Sequence, residues 1–165
     1  MAKLKGYKKL NKDISKVFKD FEISEIKGGD DYAYYFDRQN ITFRITITEA
    51  DALFTQFVKE RFHYEDNYPF ILSILHEIGH GITAEDVDGF VYDWCLQEKK
   101  RIEQEIVTAT NSRWEELQYE YFNLPDELGA TAWAVSYAKS HPKKVRKMWN
   151  KCEKALHEFY AKNLG

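Results

Sequence analysis

An α+β fold, mostly helical, with a small antiparallel β-meander ahead of its central helix, is what the sequence predicts. Three observations predict it. Ile41-Thr42-Phe43-Arg44-Ile45-Thr46-Ile47-Thr48 alternates apolar and polar residues with the period of a strand. After Thr48, apolar residues recur at three- and four-residue spacing through most of the chain. Within that helical part, Ile71 to Ile82 is an apolar run that encloses His-Glu-x-x-His. The 165 residues suit one domain with a sizeable core. The expected layout is an N-terminal helix and meander over about 11–48, a motif-bearing helix over about 68–81 and a helical part over about 86–161.

Each element has its own signal. Asn11-Lys12-Asp13 starts a short helix with Ile14, Val17, Phe18 and Phe21 on one face. Phe21 to Ile26 alternates loosely, as an edge strand does, and Lys27-Gly28-Gly29-Asp30 reads as a turn. Tyr32 to Phe36 is the second strand, Asp37-Arg38-Gln39-Asn40 the next turn, and Ile41 to Thr48 the third strand, with Ile41, Phe43, Ile45 and Ile47 on its packed face. Thr48 and Asp51 match an N-cap and its acidic third position, opening a helix with Leu53, Phe54, Phe57 and Val58 inward. A loop with His63 follows. Asn67 caps the next helix, Pro69 sits in its first turn, and the helix runs to about Gly81. A long helix begins near Asp86, with Phe90, Val91, Trp94, Ile102 and Ile106 at helical spacing. Ser112-Arg113-Trp114-Glu115 is a capping box for a helix that presents Trp114, Leu117 and Tyr121. Pro125 opens another helix and Ser140-His141-Pro142 closes it. A last amphipathic helix aligns Val145, Met148, Trp149, Cys152, Leu156 and Phe159.

Aromatic residues make up 16% of the chain, so the core is built largely from rings. A net charge of −3 and a pI near 6.0 argue against bulk nucleic-acid binding. Charge is unevenly spread: Lys3, Lys5, Lys8, Lys9, Lys12, Lys16 and Lys19 crowd the N-terminus, and Lys143, Lys144, Arg146, Lys147, Lys151 and Lys154 the last helix. These runs read as solvated helix faces, with an acidic partner surface or nucleic acid as the other reading. Cys95 and Cys152 are far apart and form no C-x-x-C, which suggests reduced thiols in a cytoplasmic setting. No apolar run reaches membrane-spanning length, so no membrane partner is expected.

On a helix, His76 and His80 project from one face, one turn apart. Two imidazoles so placed can fill two corners of a tetrahedral zinc site. Glu77 sits beside the first histidine, placed to act on a metal-bound water rather than to ligate. Two His and one Glu in fixed register arise by chance on the order of once per several tens of thousands of positions. A catalytic zinc needs a third protein ligand and an open position. Glu127 is the leading candidate, because Ala130 and Ala134 on its own helix face, with Gly79 opposite, permit close helix approach. Asp86, six residues past His80, and Asp126, beside Glu127, are the rivals.

His76-Glu77-Ile78-Gly79-His80 with a downstream helical Glu127-x-x-Ala130 resembles the gluzincin metallopeptidases. Glu127 to Ala134, with Pro125 close by, is similar to the compact ImmA/IrrE-type peptidases of phages and mobile elements, the likeness covering roughly Asp31 to Pro142. The stretch between the motifs is longer here than in the compact members. The resemblance implies a zincin-like domain, a zinc ion, and hydrolysis of a peptide bond in a protein or peptide substrate. In that chemistry His76, His80 and Glu127 hold the zinc, Glu77 is general base and then acid, and a further donor stabilises the oxyanion. Tyr119, Tyr121, Tyr137 and His141 are the candidate donors, Asp126 is a candidate partner for a histidine Nδ1, and an exposed sheet edge is a candidate peptide-binding strand. Two other expectations stand beside peptidase activity: a catalytically silent zinc-binding interaction module, and a binding protein working through the two basic helices.

Overall fold

The computed structural model describes residues 4–164, so Lys3 lies outside the described residues. The chain is α+β and mostly helical. Helix α1 (Tyr7–Val17) precedes three strands, β1 (Glu25–Gly29), β2 (Ala33–Tyr35) and β3 (Asn40–Arg44). Six helices follow: α2 (Glu49–Phe62), α3 (Pro69–Thr83), α4 (Gly89–Ile106), α5 (Asn111–Phe122), α6 (Pro125–Ser140) and α7 (Pro142–Leu164), with one 3-10 turn at Ala84–Asp86. Among the described residues, no helix is long and apolar enough to cross a membrane.

The sheet is mixed, which corrects the expected antiparallel meander. Its order is β1-β3-β2, with β1 parallel and β2 antiparallel to β3. In a meander β2 would be central, but β2 has only three residues and cannot support two full ladders. β3 takes the centre because Ile41 and Phe43 must both be covered; neither is exposed at all. β1 reaches the far side of β3 because α1 holds it there. Ser15 Oγ accepts from Ile26 N at 3.0 Å, and Asn11 Oδ1 accepts from Gly28 N at 2.8 Å. Asn11 therefore does not start α1, which begins four residues earlier. Gly28 and Gly29 lie in a strand, not a turn. A Cβ on Gly28 would stand 2.5 Å from the Tyr7 ring, so the glycine lets α1 lie close over the sheet. β3 also ends early. Ile47 is 91% exposed, because the chain leaves the sheet to enter the Thr48 cap of α2. There Asp51 Oδ2 accepts from Thr48 N at 2.7 Å.

Two caps differ from expectation. Tyr68, not Asn67, is the N-cap of α3, and Asp66 Oδ1 accepts from its N–H at 3.0 Å. The N-cap of α5 is Thr110, two residues ahead of the expected Ser112, and the helix starts at Asn111. The main core gathers around α3, whose Ile71, Ile74, Leu75 and Ile78 meet Ile41 and Phe43 of the sheet, Ala134 of α6 and Cys152 of α7. A second, small cluster of Cys95, Ile102, Leu117 and Leu124 lies under α4 and α5. The inward stripe of α4 departs from the expected one. Phe90 is 83% exposed and Trp94 is also exposed, while Cys95 and Ile102 turn inward. The helix packs on α6 and α5 beside a cleft rather than on the main core, so its buried face is narrow. Cys95 and Cys152 are both buried free thiols.

Candidate metal centre

His76 and His80 come from α3, and Glu127 from the first turn of α6. The two helices touch backbone to backbone at Gly79 and Ala130. A Cβ on Gly79 would lie 2.6 Å from the Ala130 carbonyl oxygen. Ala130 and Ala134 are both fully buried, so small residues on each side let the helices close. The approach delivers the carboxylate to the imidazoles. Glu127 Oε2 is 2.8 Å from His76 Nε2, and Oε1 is 3.2 Å from His80 Nε2. The three donor atoms lie within 4.8 Å of one another. Asp86 is exposed in the 3-10 turn and is not part of the group. Asp126 is buried but turns to Lys99 instead.

Thr131 decides the tautomer of His76. Its hydroxyl donates to the Glu127 carbonyl at 2.9 Å and lies 2.9 Å from His76 Nδ1. A hydroxyl has one hydrogen, so with that hydrogen on the carbonyl it must accept from Nδ1–H. The Nε2 lone pair then faces Glu127 Oε2. Two acceptors 2.8 Å apart need a proton or a cation between them. Two imidazole nitrogens and a carboxylate are a donor set that divalent transition metals take, zinc among them, and the outer N–H of one imidazole is already held. The three groups could hold such an ion.

Electrostatics agree with the geometry. Burial alone pushes the Glu127 carboxyl up, but His80 and His76 override it and hold it well below the usual carboxylate range. Burial pulls His80 down, and Glu127 reverses this and raises it. Burial raises Glu77, against the pull of the two histidines, which brings a carboxylate toward the range of a general base.

The centre lines a cleft of about 520 Å³, within the size range of small-molecule sites. One wall is Tyr32, Ala33 and Tyr34 on and beside the edge strand β2, with Phe54 of α2. The other is Tyr92, Lys99, Ile102 and Ile106 of α4, with Tyr121 of α5. Of the expected donors only Tyr121 stands in this cleft. Burial, and then the nearby Glu127 and Glu77, push its phenol far up, so it remains a neutral donor. Tyr119 points to Glu60, and Tyr137 stacks between Trp133 and His141 and packs against Phe21, away from the cleft. The expected role of Asp126 at a histidine Nδ1 belongs to Thr131. Lys99, like Thr131, carried no expected role; its Nζ lies 2.6 Å from Asp126 Oδ2 and 2.7 Å from Glu127 Oε1. Its signal was a lysine at the middle of Val91, Cys95, Ile102 and Ile106, a helical stripe otherwise apolar.

Parts of the basic runs are internally paired. Lys9 meets Asp13 and Glu158, both at 2.7 Å, and Lys144 meets Asp20 at 3.2 Å. No protein-family model, curated protein or solved structure matches the chain.

Proposed function

We propose that the protein is a zinc metallopeptidase that hydrolyses a peptide bond in a narrow protein substrate. The observation that carries this reading is the convergence of His76, His80 and Glu127 within 4.8 Å, with the buried Glu77 beside them in an open cleft. His76 Nε2, His80 Nε2 and Glu127 would hold the ion. Zinc supplies Lewis acidity there, lowering the pKa of water toward neutrality and polarising a carbonyl. Glu77 accepts the proton of the attacking water and returns one to the leaving amine. Its burial raises the carboxyl above its ordinary value, which eases the return of a proton to the leaving amine. Tyr121, neutral and buried at the cleft wall, donates to the developing oxyanion. The unpaired edge of β2 offers backbone groups on which an extended peptide adds as a strand.

The test is metal content and cleavage in parallel. Wild type and Glu77→Gln are expected to bind one equivalent of zinc, and only wild type to cleave a peptide library. Glu127→Ala is expected to lose the zinc and Asp86→Ala to keep it. Stoichiometric zinc with no hydrolysis by the wild type would replace the peptidase with a silent zinc-binding module. Loss of zinc in Asp86→Ala alone would sink the ligand assignment.

A further inference from the structure

We infer that Lys99 is a positioning residue that restricts Glu127 to one ligating oxygen and so keeps a place open at the metal centre. The inference rests on the zinc reading above. Glu127 has two oxygens with different neighbours. Oε2 faces His76 Nε2 alone at 2.8 Å, whereas Oε1 is shared between His80 Nε2 at 3.2 Å and Lys99 Nζ at 2.7 Å. An ammonium on Oε1 occupies that oxygen's lone pair and repels a second cation from its side. A carboxylate free to ligate through both oxygens would fill the position a substrate or water needs. Three protein ligands with an open position are what distinguishes a catalytic zinc site from a closed structural one.

Lys99 is itself fixed. Its stem lies on the inward face of α4 beside Cys95 and Ile102, and its side chain is 17% exposed. Asp126 Oδ2 holds Nζ at 2.6 Å from the other side, while Asp126 Oδ1 is buried with no partner. Asp126 also lies against the Cys95 thiol, and its Oδ2 aims Nζ at Oε1. The Tyr121 ring lies 5.4 Å beneath the ammonium and adds a further fixed contact. The three groups on α4, α5 and α6 form a brace around one oxygen of one ligand.

The test uses cobalt(II) in place of zinc, because its visible d–d absorption is intense in four-coordinate sites and weak at higher coordination. The variants are Lys99→Met, Lys99→Arg and the double variant Lys99→Met/Asp126→Asn, which removes the unpaired buried carboxylate if the single change folds poorly. For Lys99→Met and the double variant we expect a severalfold weaker cobalt band, zinc affinity equal to or tighter than wild type, and a 10–100-fold lower kcat. Lys99→Arg should recover most of the band. A role in folding alone would weaken zinc binding and stability together and leave the band of the bound fraction unchanged; that result overturns the inference. If wild type takes up neither zinc nor cobalt, the metal reading fails instead, and the two failures are distinct.

Discussion

Gly79→Ala and Gly129→Ala are the same chemical change on two helices in contact, and they should have opposite effects. Both glycines are inside helices, so alanine gains about 1 kcal/mol of helix propensity at either. At Gly129 the new methyl meets only Thr83 Oγ1, at 3.8 Å, an ordinary contact. That variant should be about 1 kcal/mol more stable, raising Tm by roughly 2–4 °C for a chain of this size. At Gly79 the methyl falls 2.6 Å from the Ala130 carbonyl oxygen and 3.1 Å from its Cα. These are backbone atoms and cannot swing aside. Restoring an ordinary contact parts α3 and α6 by about 0.8 Å. Glu127, one turn before Ala130, moves with them, and its 2.8 Å contact with His76 stretches beyond hydrogen-bond range. Overpacking costs about 1–3 kcal/mol and the lost charged hydrogen bond about 1.5–3 kcal/mol. After the propensity gain, the net is about 1.5–5 kcal/mol of destabilisation, a Tm lower by roughly 3–20 °C. Urea and thermal unfolding of the chelator-treated proteins, followed by zinc titration, measure both effects. If Gly79→Ala proves as stable as Gly129→Ala and binds zinc as tightly as wild type, the close approach of α3 and α6 does not set the ligand geometry.

Two further outcomes follow from the same site. Thr131→Val keeps the shape of the side chain but removes the acceptor for His76 Nδ1, and zinc affinity should fall about 10–100-fold; Thr131→Ser should restore it, read by competition with a coloured chelator. In the metal-free protein, the raised pKa of His80 contributes stability that is complete below its unfolded value near 6.5 and is lost as pH rises through the folded value. The depressed pKa of Glu127 contributes stability present above its unfolded value near 4.3 and lost as pH falls through the folded one. The pair therefore supports the metal-free fold best between roughly pH 4.5 and 6.5. Urea midpoints should decline from pH 6 to pH 8.5, and Glu127→Gln should flatten that decline. Zinc displaces the His80 proton, so its affinity should rise over the same interval.

The helices were legible where their signals were local. Pro125 opens a helix, and Thr48 with Asp51 caps α2, because those effects need only neighbouring residues; Pro142, expected only to close α6, also opens α7. The small residues Gly79, Ala130 and Ala134 were legible as a helix contact for the same reason: side-chain size limits approach distance whatever the partner. Strand order was not legible. It is set by Ser15 and Asn11 reaching from α1 to β1, contacts across 11 and 17 residues that leave no periodicity. Lys99 and Thr131 were missed for a related reason. Each acts on a residue of another helix, Lys99 on Glu127 28 positions away and Thr131 on His76 55 positions away. A sequence displays a metal ligand's own spacing, but the groups that orient it enter only through tertiary packing.

The small cluster beneath α4 has a consequence for where the protein opens first. α4 spans 18 residues yet fully buries only Cys95 and Ile102, whereas α3 buries eight of 15. Apolar burial is the main source of resistance to local opening, so α4 belongs to the low-stability end of the molecule and α3 to its most protected part. Amide exchange should therefore be faster along α4 than along α3 by orders of magnitude. An excursion of α4 carries Lys99 away from Glu127 and widens the cleft, while His76, His80 and Glu127 stay in place on the two helices joined at Gly79. The protein can breathe at its mouth without loosening the cluster of His76, His80 and Glu127 behind it.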